Sequence, residues 1–179
     1  MFKLFSKNKK DDFKEEKLEL PDLNFKMSRS VKIITSKGTM DAELYDDDAP
    51  ATVNHFCKLV EKGFYQGMLF HRYIPNLLVQ TGCPKGDGTG GAGFYIKCEL
   101  DGSKQIHDRG VLSMAHSGRD TGSSQFFICL NRENTQYFDG NHTCFGKITK
   151  GIELLNTLRL GDQLIRIELA FNKIALRQK

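Results

Sequence analysis

The chain has 179 residues, 39% of them hydrophobic and 27% charged. These proportions suit one soluble domain with a short appendage; they exclude a wholly disordered chain, and no stretch approaches the ~20 apolar residues that a membrane-spanning helix needs. The net charge of +4 is mild and shows no clustered basic face, so no nucleic-acid partner is expected.

Residues 1–30 stand apart, with eight Lys/Arg and six Asp/Glu. Met1 to Phe5 is too short for the apolar core of a signal peptide, and acids from Asp11 onward count against a transit peptide. Residues 1–29 therefore read as a charged, flexible arm. Phe2, Leu4 and Phe5 beside Lys3, Lys7, Lys9 and Lys10 allow only weak contact with an anionic membrane surface. The main domain is expected over 30–172, with a short basic tail at 173–179.

Within the domain, Ser30 to Thr35 and Thr39 to Tyr45 flank Ser36-Lys37-Gly38 and predict a hairpin. Asp46-Asp47-Asp48 before Ala49-Pro50 predicts a helix start capped by one of those carboxylates. Val53, Phe56, Leu59 and Val60 continue it at helical spacing, and Gly63 ends it. Short apolar runs follow at Leu69–Ile74, Leu77–Thr81, Gly93–Ile96, Val111–Ala115, Phe126–Leu130 and Thr143–Ile148. A second helix fits Ile152–Leu160, and Gln163–Phe171 alternates as a last strand. The expected fold is mainly β: a closed eight-stranded antiparallel barrel in meander order, capped by two α-helices. The five cysteines have no CxxC spacing and read as reduced core thiols of a cytosolic protein, with no zinc site.

Four chemistries compete. Gly86-Asp87-Gly88-Thr89-Gly90-Gly91 matches GxGxxG, but phosphate binding needs a helix after the glycines and Phe94 to Leu100 reads as a strand. A tight surface loop is the simpler reading. Asp120-Thr121-Gly122-Ser123 has the form of an aspartic-protease turn, yet that chemistry needs two carboxylates and only one such turn is present. His71, His107, His116 and His142 lack ligand spacing and suit structural or groove positions better than a metal. The fourth reading takes the period-two pattern of strands. Gln125 and Phe127 share one face of their strand, Phe126 and Ile128 the other, and only one face can enter a barrel core. The second must floor a groove, close to Leu78, Gln80 and the charged Arg72. An apolar slot beside a fixed cation and amide side chains suits non-covalent binding of an extended peptide.

The segments FHRYIPNLLVQTG, GVLSMAH, SSQFFI and YFDGNHTCFGKI, in this order, resemble the cyclophilins, which are peptidyl-prolyl cis–trans isomerases. The resemblance covers roughly Val31 to Phe171. It implies the eight-stranded barrel with two helices, isomerisation of X–Pro bonds in protein segments to assist folding, and no cofactor or metal. It also implies catalytic roles for Arg72, Gln80, Phe127 and His142. His71, Leu77, Leu78, His116, Ser117, Gln125, Tyr137 and Phe138 are implied to bind substrate. Leu77 stands where the family usually has Phe, Leu78 where it has Met, Tyr137 where Trp is common, Phe138 at a usual Leu and His116 at a common Asn. A two-residue insertion is read near Glu133–Thr135. The expected partners are proline-containing peptides and flexible protein segments, met by a cytoplasmic monomer. A proline-peptide-binding chaperone or assembly module with little turnover is the alternative.

Overall fold

A computed structural model describes residues 25–175; the expected charged arm, up to residue 24, and the end of the basic tail, 176–179, lie outside the described residues. The chain opens with β1 (Phe25–Thr35), which begins ahead of the predicted Ser30, and returns as β2 (Gly38–Leu44). Alternation decides which side each residue faces: Val31 and Ile33 of β1 meet Ala42 and Met40 of β2, all buried. Between them Thr35 Oγ1 accepts from Lys37 N at 3.1 Å and donates to Gly38 O at 2.9 Å, while Gly38 takes a φ of 137° that a side chain would resist.

The helix α1 (Pro50–Glu61) forms where Pro50 and the helical spacing predict it, and Gly63, at φ 66°, donates to Val60 O to close it. Its start corrects the expectation of a local acid cap. Glu99, far along the chain, accepts from Ala51 N at 3.0 Å and Thr52 N at 2.8 Å. Asp48 turns instead to Ser103 N and Lys104 N, and Asp46 pairs with Arg29. The buried face of α1 carries Val53, Phe56, Leu59 and Val60, and the Phe56 ring lies 5.0–5.6 Å from those of Tyr65, Phe126 and Phe145. That aromatic group is the centre of the main core.

The remaining strands are β3 (Met68–Leu69), β4 (Arg72–Ile74), β5 (Leu78–Thr81), β6 (Val111–Met114), β7 (Phe126–Cys129), β8 (Cys144–Lys150) and β9 (Gln163–Ala175). They form one curled antiparallel sheet in the order β3-β9-β1-β2-β8-β6-β7-β5-β4. The mainly β antiparallel architecture is the expected one, but the order is not a meander, because β2 pairs with β8 and β5 with β7. Nor is the hydrogen-bonded ladder closed. Its two edges, β3 and β4, are successive pieces of Met68–Ile74, separated only by Phe70 and His71, so the chain itself joins them. Counted as one bent strand, they restore the expected eight. Phe70, fully buried, donates to Asp162 O and accepts from Gly161 N at the bend, each at 2.9 Å.

Two further expectations change. Ile152–Leu160 is a short 3-10 helix over Ile152–Asn156, which buries Leu155, followed by a turn that buries Leu158. The run Gly93–Ile96 makes only an isolated bridge, Ile96 to Gly122. It belongs to a long segment between β5 and β6 that borrows its hydrogen bonds from elsewhere. Ala92 N donates to Ser123 Oγ, Cys98 N to Asp120 Oδ1, and Gln105 is paired with the Cys144 backbone through both its amide atoms. The last strand, β9, has an irregularity of its own: Ile34 faces Arg166 while Thr35 faces Leu164, so Ile165 is the extra residue of a bulge and the inward positions step from Leu164 to Ile167.

Since Glu99 caps α1 and anchors the long segment together, replacing it removes both. Glu99→Ala is expected to lower the unfolding free energy by about 1–2 kcal/mol, read as a lower urea midpoint with the slope unchanged.

Candidate active site

The outer face of the sheet carries a second, smaller apolar cluster: Tyr45, Leu78, Val111, Phe127, Cys129 and Cys144, with Leu77, Ala115 and Phe138 packed on it. Strand alternation sends Phe126 and Ile128 to the main core and Phe127 and Cys129 to this one, as the two-faced pattern predicts. The ladder registers then set a row across neighbouring strands. Arg72 on β4 faces Gln80 on β5, Gln80 faces Phe127 on β7, Phe127 faces Ser113 on β6, and Ser113 faces Cys144 on β8.

Above this row lies an open groove of about 640 Å³. Leu78, Phe127, Phe138, Tyr137 and His142 line one part, and Arg72 and Gln80 flank it. Ala115, His116, Ser117, Gln125 and the glycine-rich stretch Gly88–Gly93 line the rest. Ten of the twelve predicted site residues thus converge on one groove. His71 and Leu77 do not line it: Leu77 packs at the side of the outer cluster, and His71 stands behind Gln125.

The floor is dry and fixed. Leu78 and Phe127 expose only 1% and 2% of their surface. The Phe127 ring stacks on His107 at 5.9 Å and meets Phe138 at 5.0 Å and His142 edge-on at 5.5 Å. Phe138 is brought there by the short helix α2 (Arg132–Thr135) and the 3-10 turn Gln136–Phe138, the place where the sequence suggested an insertion. Asn131 caps α2 by accepting from Glu133 N at 2.8 Å. Tyr137 stands on the rim, 64% exposed.

Arg72 is exposed and meets only a neutral partner, Gln80 Oε1, at 3.3 Å; no ion pair holds it among the described residues. Gln80 Nε2 donates onward to Gln125 Oε1 at 2.8 Å, and Gln125 Nε2 donates to the carbonyls of Gly88 and Gly90 at 2.8 and 2.7 Å. His71 Nε2 donates to the same Gln125 oxygen at 3.1 Å. This amide relay ties the cation to the glycine-rich wall. No helix follows those glycines, so the GxGxxG match is a groove wall and not a phosphate cradle.

A buried network that the sequence reading missed supports the floor from behind. His107 Nδ1 donates to Asp139 Oδ1 at 2.9 Å, and its Nε2 accepts from Ser113 Oγ at 2.8 Å. Arg132 grips the same Asp139 with two nitrogens at 3.0 and 2.6 Å. Burial alone would raise the Asp139 carboxyl, but the Arg132 guanidinium and the N–H groups of His107 outweigh it and hold the acid well below the usual carboxylate range. Burial pushes His107 down, so its ring stays neutral. The period-two position of Ser113 in GVLSMAH was the available signal for part of this network. Asp139 gave none, because its partners come from distant segments.

On the rim, His142 Nδ1 donates to Met114 O at 3.0 Å, and its ring stacks on that of His116 at 4.0 Å. Burial, aided by the neighbouring imidazoles, pushes His142 down to about 4. It is a neutral edge at physiological pH.

An apolar slot beside a guanidinium with no ion pair among the described residues, and amide side chains, could hold an extended peptide without covalent chemistry. The model for cyclophilin type peptidyl-prolyl cis-trans isomerases matches residues 30–167. The chain is 49% identical over 131 residues to peptidyl-prolyl cis-trans isomerase B of Bacillus subtilis, covering 72% of this chain and 90% of that protein. It is 48% identical over 132 residues to a peptidyl-prolyl cis-trans isomerase of Helicobacter pylori, covering 73% and 80%. A cyclophilin type peptidyl-prolyl cis-trans isomerase of Cryptosporidium parvum has a similar structure, with a TM-score of 0.74 at 31% identity over 81% of this chain and 99% of that one. The chain belongs to the cyclophilin-type peptidyl-prolyl cis-trans isomerase family.

Burial lowers His55, His71, His107 and His142 alike. In the unfolded chain these rings take up protons near pH 6.5, and in the folded one they resist. The unfolded state thus binds more protons, so stability falls as pH drops below about 6.5. Urea midpoints at pH 7 and pH 5 are expected to show this loss, and His142→Gln is expected to show less of it.

Proposed function

We propose that this groove speeds rotation about X–Pro bonds in protein segments, with Arg72 as the catalytic donor. The X–Pro amide resists rotation through resonance, with a barrier of ~18–20 kcal/mol. In the twisted state the nitrogen lone pair leaves conjugation and becomes an acceptor. A donor aimed at that nitrogen therefore binds the twisted state better than either planar isomer, which lowers the barrier without a covalent step. Arg72 suits this role because its guanidinium fork is planar and cationic, and Gln80 fixes one side of it. The observation that carries this reading is the position of that cation, with no acid paired to it among the described residues, beside the buried floor of Phe127 and Leu78.

In this reading the proline ring sits on Phe127, between Leu78, Phe138 and His142, while the residue before it swings. Gln80 and Gln125 hold the guanidinium and the backbone of the substrate. Ala115 to Ser117 supply a strand-end backbone for the peptide to pair with. A related Cryptosporidium parvum structure was determined in the presence of the dipeptide Ala-Pro, which supports the same substrate class here. The five free cysteines suit the reducing cytoplasm, where a working monomer is proposed. Assistance to folding proteins is the corresponding role.

Arg72→Ala is expected to lower kcat/KM for a proline peptide by about 10²–10³-fold, mostly through kcat, because the lost donor acts on the transition state. Phe127→Ala is expected to act mainly on binding. A coupled assay at low temperature checks both. Unchanged turnover in Arg72→Ala would refute the assigned role, and binding without turnover in the wild type would favour a proline-binding module.

A further inference from the structure

The charge of the groove wall is one-sided. Its lining includes two cations, Arg72 and Lys85, and no carboxylate. Elsewhere many cations stand within ion-pair distance of an acid: Lys32 with Asp41, Lys37 with Asp162, Lys147 with Asp108 and Arg132 with Asp139. Neither Arg72 nor Lys85 makes such a pair among the described residues.

The nearby acids are engaged elsewhere. Asp87 accepts from Thr89 N at 2.8 Å and Thr89 Oγ1 at 2.7 Å, and its charge reaches Lys85 only at a distance. Asp120 accepts from Cys98 N at 2.8 Å. Neither lines the groove.

Lys85 lines the same groove as Arg72. Its stem lies against Gly90, where a Cβ would come 3.1 Å from Lys85 Cγ. The Gly90 carbonyl accepts from Gln125, which in turn accepts from Gln80, the partner of Arg72. The relay runs from the side of Arg72 to Gly90, beside the Lys85 stem, and the two cationic side chains line the same trough. Walls of low dielectric concentrate the field of such charges.

We infer that the groove selects proline-containing segments that carry an anionic side chain, carboxylate or phosphate, a few residues from the proline, with Lys85 as the residue that reads it. This rests on the reading of Arg72 as the catalytic group. An anion at Arg72 itself would block the donor, so the selecting contact falls to Lys85, and Arg72 adds to the attraction from a distance. A cationic side chain in the same place meets two like charges and is disfavoured.

The test uses one proline peptide with Ala, Glu, Lys or phosphoserine placed two or three residues to either side of the proline, and kcat/KM measured at low and at raised salt. Glu is expected to exceed Lys by roughly three- to tenfold at one or more positions on one side of the proline, the size of one or two exposed ion pairs. Phosphoserine is expected to be favoured at least as much as Glu. The preference shrinks with salt, as screening requires. It is expected to shrink in Lys85→Gln and reverse in Lys85→Glu; Lys85 is exposed, so neither variant disturbs the core. Equal rates for Glu and Lys at every position would overturn the inference, as would phosphoserine treated like Lys or a preference unchanged in Lys85→Glu. The Ala peptide with the wild-type protein separates the two claims: if it is not turned over, the isomerase reading fails, whereas turnover without selectivity refutes only this inference.

Discussion

A guanidinium without a counter-charge among the described residues, beside an apolar floor, is the constraint around which this molecule is arranged. Neutralising Arg72 with a carboxylate would be an easy local solution, and the fold avoids it by giving the cation an amide oxygen, Gln80 Oε1. An amide orients a guanidinium without saturating it, so N–H donors remain; in the proposed mechanism one of them meets a nitrogen that becomes basic only when it twists. The antiparallel register does the positioning. Because Arg72, Gln80 and Phe127 are opposed on three adjacent strands, their spacing is set by the ladder and not by loops.

The same sheet has to serve two apolar faces, which is unusual for a strand set with water on one side. The inner face fills the barrel with Phe56, Phe126 and Phe145. The outer face would leave Phe127 wet were it not covered by the turn that carries Phe138 and backed by His107. Asp139 makes that cover rigid, since it joins Arg132 of α2 to a buried imidazole and, through it, to Ser113 on the sheet. The opposite wall is built differently. It is a long segment with almost no ladder of its own, pinned where its Glu99 accepts from the start of α1 and where Ser123 and Gln125, ahead of β7, bond its backbone. The wall's own groups are satisfied internally: Gly88 N and Gly90 N donate to Cys83 Sγ, and their carbonyls accept from Gln125.

The strands and α1 were legible in the sequence because their signals are local. Alternation at Gln125 to Ile128 separated the two faces, and Pro50 and Gly63 bounded the helix. The four motifs carried Arg72, Gln80 and Phe127, and the comparisons place the chain in the family that those motifs resemble. What escaped depended on distance. The cap of α1 comes from Glu99 and not from the aspartates beside it, because the Asp48 carboxylate is already engaged by Ser103 and Lys104. The meander order failed because pairing of β2 with β8 leaves no local trace. His71 was read as a groove residue, yet it acts from behind by holding Gln125. Leu77 faces the margin of the outer cluster, so the floor belongs to Leu78 and Phe127.

The most direct measurement is a structure of the protein with a proline peptide in the groove. The account predicts the pyrrolidine ring over Phe127 and a guanidinium nitrogen of Arg72 within hydrogen-bonding reach of the imide nitrogen. A ring seated elsewhere, or an Arg72 side chain turned away from that nitrogen, would contradict it.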